Sequence, residues 1–266
     1  PDSVKYAWVH TDMIKNPWTD KCYKNFEQEK EVYSKYDRVI AVSKSVKEAF
    51  EKKFELPAQV VYNALDEKEI ERKTLLFEGN PKSEEITRLI SIGRLEKVKG
   101  FERLIEAFAE LIKETPNVEL YLVGDGSERS GLERLIAEKK VGDKVKLLGF
   151  KSNPYPYLKS SDVFVCSSYA EGFSTVVTEA LILGIPTVTT ECAGMRELLG
   201  DSEYGLIVEN STKGILDGLR KMTGDPVMLE AYQKKAKERG RAFCVADRIK
   251  EIEALIEQDC EKKRRR

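Results

Sequence analysis

The stretch Glu171-Gly-Phe-Ser-Thr-Val-Val-Thr-Glu179 sets two carboxylates eight residues apart around the start of a helix. An apolar strand, 163–165, runs into the small polar segment Cys166-Ser-Ser-Tyr-Ala170, and a helical apolar pattern follows from Val176 through Leu183 to Gly184. Glu171 falls in the loop, where backbone N–H groups are free. Glu179 falls about two turns into the helix, on a face that still looks back at a bound ligand. The unpaired N–H groups and the dipole of a helix start favour an anion, and a diphosphate meets that description. Taken alone, two carboxylates at this spacing are usually an exposed helix face, so the reading rests on what surrounds them.

Upstream, a strand at 89–92 ends in Gly93-Arg94, and a helix follows over 101–112. Arg94 and Lys99 flank the turn between them. A strand at 118–123 ends in Gly124-Asp-Gly126, a glycine loop of the kind that lets a ligand approach the backbone. Further strands read at 145–148, 163–165, 187–189 and 206–208, with helices between. Such alternation predicts an α/β fold, a Rossmann-like parallel sheet with helices on both faces. Ligands of open sheets bind at the carboxyl ends of strands, and every motif named here lies at such an end.

The first sixty residues read differently. Strands are expected at 6–9, 37–42 and 60–63, and Ser45-Val-Lys-Glu48 has the form of a capping box opening a helix to about Phe54. Three strands and one or two helices cannot close a separate domain of this class, which implies the C-terminal part of a longer protein. The expected division is a partial N-terminal α/β segment over 1–62, a main domain over 63–224 and a helical segment over 225–266. Residues 75–85 read as a loop. Pro226 can begin a helix, and a charged helical pattern runs over 227–261 with a break near Gly240.

Composition narrows the function classes. The 266 residues are 41% apolar, enough for a substantial core, and no run of about 18 apolar residues occurs. With no signal-peptide pattern either, cytoplasmic residence is the expectation. Five scattered cysteines without CxxC spacing argue against a disulfide framework or a zinc site. Lys plus Arg number 45 against 46 Asp plus Glu, so no basic field recommends nucleic acid as a partner. The basic end Lys262-Lys-Arg-Arg-Arg266 reads as a solvated terminus or as a contact with anionic lipid at the inner face of a membrane.

In their order and spacing, Gly93-Arg94, Lys99, Gly124-x-Gly126, Glu171, Glu179 and Gly184-Ile-Pro186 resemble the donor-binding domain of retaining glycosyltransferases of the group one type, family four, with the glycosyltransferase B fold. The resemblance covers nearly the whole chain and is loose in the first sixty and last forty residues. It implies that 1–62 is a remnant of the acceptor-binding domain, that Tyr62-Asn63-Ala-Leu-Asp66 is the interdomain hinge and that the terminal helix crosses back to the N-terminal side.

The same resemblance implies the site. Arg94 and Lys99, beside Gly93, hold the phosphates; Glu171 accepts from donor-sugar hydroxyls; Gly172, Phe173, Ser174 and Thr175 supply N–H groups. Glu179 binds the ribose hydroxyls, Gly124 and Gly126 admit the nucleotide, and Phe150 with Lys151 line the base pocket. His10, the single histidine, is either structural or points into the cleft towards the sugar. Glu197 either caps its own helix or touches ligand.

No Asp-x-Asp motif and no histidine cluster is present to hold a metal, so protein cations must neutralise the departing diphosphate, and no cofactor is expected. Glu171 as a covalent nucleophile stays open. A front-face mechanism, in which the departing phosphate helps deprotonate the acceptor, is preferred. The implied activity is metal-independent, retaining transfer from a UDP- or GDP-sugar to a glycan or lipid-linked acceptor. The alternative is a non-catalytic nucleotide-sugar-binding module. An epimerase of the same fold would need further acid and base residues that the sequence does not offer.

Overall fold

The structure, a computed structural model, describes residues 3–76 and 85–264. Most of the loop expected over 75–85 lies outside the described residues. The first unit runs β1 (Tyr6–Val9), α1 (Phe26–Ser34), β2 (Arg38–Ala41), α2 (Lys44–Phe54), β3 (Ala58–Val60) and α3 (Glu67–Thr74). Its strands form a parallel sheet in the order β1-β2-β3. Alternation along β1 and β2 turns Ala7, Val9, Val39 and Ala41 to one face, where Val46, Phe50 and Phe54 of α2 cover them.

Two local readings are corrected here. The third strand lies at Ala58–Val60 rather than 60–63, because β2 ends at Ala41 and the last ladder contact is Val61 N–H to the Ala41 carbonyl at 3.0 Å. The capping box at Ser45 is also displaced. Ser43, extended after β2, accepts from Val46 N–H at 3.1 Å and starts α2 at Lys44, which frees the Ser45 hydroxyl for another use. The segment Tyr62–Asp66 ends as a cap, with Asp66 accepting from Glu69 N–H at 2.9 Å at the start of α3.

The second unit begins with β4 (Thr87–Ile92), α4 (Phe101–Leu111), β5 (Val118–Val123), α5 (Arg129–Glu138), β6 (Val145–Gly149) and α6 (Tyr155–Lys159). It continues with β7 (Val163–Cys166), α7 (Thr175–Ile182), β8 (Thr187–Thr190), α8 (Met195–Leu199), β9 (Leu206–Val208), α9 (Thr212–Gly224), α10 (Pro226–Gly240) and α11 (Val245–Arg264). All six strands pair in parallel in the order β6-β5-β4-β7-β8-β9.

Neighbouring residues of one strand enter different cores. Leu89, Leu120, Val163 and Val165 pack with α4, α5 and α9, through Leu104, Phe108, Ile136 and Leu219. Ile90, Val123, Phe164 and Cys166 pack with α7, α8 and α10, through Leu181, Leu198 and Ala236. Strands buried on both faces explain the near-continuous apolar runs in the sequence. Each fully buried Leu or Phe contributes about 1.5–3 kcal/mol.

The long helical pattern divides between the two sheets. Asp225 caps α10, accepting from the N–H groups of Val227 and Met228 at 3.0 Å each. Gly240 ends it where a Cβ would stand 2.3 Å from the Leu181 carbonyl oxygen, so only glycine lets α10 lie on the end of α7. α11 then crosses to the first sheet. Leu255 joins Ile40 and Val61, and Asp259 accepts from Arg38 Nε at 2.7 Å and from the Tyr6 hydroxyl at 3.1 Å. No helix among the described residues is long and apolar enough to cross a membrane.

Candidate active site

From β4 the chain builds outward through β5 to β6, then returns past β4 and builds the other way through β7, β8 and β9. The crevice at the carboxyl ends of β4 and β7 is therefore the topological switch point, where flanking loops splay apart and open sheets bind ligands. β4 delivers the turn from Gly93 to Lys99, and β7 delivers the loop from Ser167 to Glu171.

Here the structure brings together Lys99 and Glu171, 72 positions apart in sequence. Lys99 Nζ lies 2.7 Å from Glu171 Oε1, with the two side chains 27% and 11% exposed. At that burial the pair is largely shielded from the screening that weakens surface ion pairs. Burial works against the Lys99 charge, yet Glu171 more than offsets it and holds the ammonium above its ordinary range. Ser168 Oγ donates to the same carboxylate oxygen at 2.5 Å. The site thus offers a desolvated cation and a desolvated acceptor within one hydrogen bond of each other.

Arg94 stands apart from this pair. Its side chain is 74% exposed and bonds Glu96 at 2.6 Å. The two cations flank one turn in sequence, but a 3-10 turn at Lys97–Lys99 aims only Lys99 at Glu171.

The start of α7 presents amides to the crevice. Ser174 caps the helix, accepting from Val177 N–H at 3.4 Å. The amides of Gly172, Phe173, Ser174 and Thr175 make no hydrogen bond to protein among the described residues. Phe173 is buried with its ring 5.2 Å from that of Tyr62.

Glu179 is half-buried one face further on and accepts from the Tyr155 hydroxyl of α6 at 3.3 Å. Burial pushes its carboxyl up to about 7, against the smaller opposing effect of Tyr155. From the usual carboxylate value up to about 7, the folded chain then binds more protons than the unfolded one. Stability attached to this group is full at low pH and is lost as pH rises through 7. Between pH 5 and 8, denaturant titrations of the natural chain should lose on the order of 2 kcal/mol relative to Glu179→Gln. Parallel pH profiles would remove the assigned cause.

The glycines of the loop after β5 also meet a packing demand within the protein. A Cβ at Gly124, which has φ +143°, would stand 1.8 Å from the Gly93 carbonyl oxygen. A Cβ at Gly126 would stand 2.5 Å from that of Leu95. The close approach is between protein backbones of adjoining turns, which lace together through Gly93 N–H to Val123 O and Leu95 N–H to Asp125 O. Phe150 follows the edge strand β6, 75% exposed, and Lys151 Nζ lies 5.5 Å from the Tyr157 ring.

His10 is exposed after β1, with its ring stacked on Trp8 at 6.3 Å between centroids. Its backbone meets the Glu171 loop directly, since a Cβ at Gly172 would stand 1.9 Å from the His10 carbonyl oxygen. The Ser43 hydroxyl donates to the Gly172 carbonyl at 3.1 Å. The end of β1 and the start of α2 therefore pack on the loop that carries Glu171.

Glu197 caps a helix, but not its own. Its carboxylate accepts from Lys44 N–H at 2.9 Å, Ser45 N–H at 3.1 Å, Ser45 Oγ at 3.2 Å and the Tyr62 hydroxyl at 2.9 Å. That places a carboxylate of the second unit on the N-terminus of α2 in the first. Sequence reading also missed Ser168 and Tyr155. The Ser167-Ser168 pair after an apolar strand was a usable signal for the first. Tyr155 carries none, because its role depends on α6 packing beside α7.

The comparisons agree with this architecture. Residues 72–239 match the family described as Glycosyl transferases group 1. N-acetylgalactosamine-N,N'-diacetylbacillosaminyl-diphospho-undecaprenol 4-alpha-N-acetylgalactosaminyltransferase of Campylobacter jejuni is 35% identical over 228 residues, 82% of this chain and 59% of that one. N-acetyl-alpha-D-glucosaminyl L-malate synthase of Bacillus anthracis is 31% identical over 183 residues, 68% of this chain and 48% of its own length. The chain thus spans 59% and 48% of these two relatives. Among solved structures, HepE of Anabaena in complex with UDP superposes with a TM-score of 0.79 at 20% identity, over 95% of this chain and 72% of HepE. Two parallel sheets packed through the end of β1 and the start of α2, with a family match across the second of them, lead to one statement: the chain belongs to the glycosyl transferases group 1 family, with the glycosyltransferase B fold.

Proposed function

We propose that this chain carries the donor side of a retaining, metal-independent glycosyltransferase that moves a sugar from a UDP- or GDP-linked donor to a glycan or lipid-linked acceptor. The observation that carries the reading is the Lys99–Glu171 pair at the switch point, beside the unpaired amides opening α7. On donor entry the diphosphate takes the place of Glu171 as the partner of Lys99, and Glu171 turns to the sugar hydroxyls. Lys99 and the exposed Arg94 then balance the charge that grows on the leaving phosphate. Glu179, ionised on binding, accepts from the ribose hydroxyls. The acceptor enters on the side of His10, and the departing phosphate takes its proton, so that no covalent intermediate on Glu171 is needed.

The Campylobacter relative's name specifies a diphospho-undecaprenol acceptor, which supports a lipid-linked acceptor and peripheral association with a membrane face here. Calorimetry of the chain with UDP-, GDP- and ADP-sugars, each with and without chelator, tests the donor reading. Binding that survives chelator is the expected result. Affinity that appears only with magnesium or manganese would overturn the assignment of charge neutralisation to Lys99 and Arg94. Product analysis of the full-length protein by anomeric coupling constants should give a retained configuration.

A further inference from the structure

Arg103, the third residue of α4, is 3% exposed, and among the described residues no carboxylate forms an ion pair with it. Nε and one terminal nitrogen both donate to the Ser167 carbonyl, at 2.8 and 2.5 Å, and the guanidinium lies 3.8 Å from the centre of the Tyr169 ring. Burial pulls its affinity for the proton down. A buried charge held by one carbonyl and one aromatic face is an expensive arrangement for a merely structural contact.

The contacts around it tie two loops together. The Ser167 hydroxyl donates to the Lys99 carbonyl at 2.9 Å, Tyr169 N–H donates to the Val98 carbonyl at 2.8 Å, and the Tyr169 hydroxyl reaches Glu102 at 2.8 Å. The residue after Lys99 must also be glycine. A Cβ at Gly100, with φ +61°, would stand 2.3 Å from the Ser167 carbonyl oxygen and 2.6 Å from Arg103 Nε. Lys99 leaves one side of this junction and Glu171 the other, and Arg103, at the start of α4 just after the Lys99 turn, adds a side-chain tie to the backbone ties between them.

We infer that Arg103 is a positioning residue: its guanidinium clamps the turn bearing Lys99 to the loop bearing Glu171 and so sets the separation of the phosphate cation from the sugar carboxylate. The inference rests on the donor-site reading above. A planar fork can serve one carbonyl twice while stacking on a ring, which an ammonium cannot do. Arg103→Lys therefore fails with Arg103→Met.

The test uses the whole chain at a temperature where circular dichroism shows every variant folded. Hydrogen exchange without ligand comes first: in Arg103→Met, amides of 98–100 and 167–171 should exchange more than about tenfold faster, with the α9 and α10 amides unchanged. Unchanged exchange in the two loops overturns the clamp, whether or not the chain binds nucleotide sugars. Affinity for the tightest of UDP-glucose, UDP-N-acetylgalactosamine and GDP-mannose comes second. It should fall about tenfold in Arg103→Met and in Arg103→Lys, but less than about twofold when Arg103→Met is added to Lys99→Ala. Additive losses, or rescue by Arg103→Lys, overturn positioning in favour of a general or purely electrostatic effect. A natural chain that binds none of the three sugars overturns the donor reading and the role in donor binding, while the exchange result still decides the clamp.

Discussion

Lys99→Ala in the full-length protein should lower turnover roughly a hundredfold, or about 3 kcal/mol, by analogy with loss of one oxyanion donor. The argument begins with the two states the ammonium must serve. Without donor it is already paired with Glu171 at 2.7 Å, so a ground-state diphosphate exchanges one anion for another and gains about tenfold in affinity, less than the transition state gains. As the bond to the anomeric carbon breaks, charge accumulates on the leaving phosphate, and the contact strengthens where Glu171 offers no competition. The loss should therefore fall mainly on kcat, with a smaller change in donor KM. Steady-state kinetics at saturating donor decide the matter. Turnover within a few fold of the natural protein would sink the assignment.

The second large effect is expected at Glu197, which contacts no proposed substrate group. Glu197→Ala removes the acceptor of four hydrogen bonds at once and leaves the first turn of α2 with Ser43 alone as its cap. Loss of an N-cap alone costs about 0.5–2 kcal/mol, and a hydrogen bond to a charged group about 1.5–3. Solvent can reach the half-buried site and recover part of this, so a loss of about 2 kcal/mol in chemical denaturation is expected. Tyr62 supplies an independent readout. Burial, and then Glu197, push its hydroxyl up to about 12, and removing the carboxylate should lower that value in a spectrophotometric titration. A denaturation midpoint that does not move would show that the cap is not maintained in solution.

What could be read from sequence divides along a physical line. Strands buried on both faces announce themselves by continuous apolar runs, and the six strands of the second sheet were placed to within two residues at either end. Lys99 and Glu171 were legible as a cation and a carboxylate after two such strands, although their contact depends on β4 and β7 being neighbours, which no local pattern states. Glycine was legible as a demand for close approach, but not what approaches: at Gly124 and Gly126 it is a neighbouring turn. Ser43 and Ser45 are both good caps by type, and only the end of β2 decides between them. The segment that Glu197 caps and the loop that Arg103 holds were hidden for one reason. Each of the two residues acts on a segment more than 60 positions away, Glu197 on residues 44 and 45 and Arg103 on residue 167.

Gly172 presses on His10, and Gly194 presses on Gly172, where a Cβ would stand 2.4 Å from the Gly172 carbonyl oxygen. Three backbones from β1, the start of α7 and the start of α8 are thus stacked without room for a methyl group. A hybrid that exchanges the second unit between relatives would cut most simply in the linker after β3. In this chain that cut would part surfaces shaped to one another. His10, Thr11, Ser43 and Ser45 belong, for the protein engineer, with the second unit, and a hybrid that leaves them behind inherits a seam that neither parent had to tolerate.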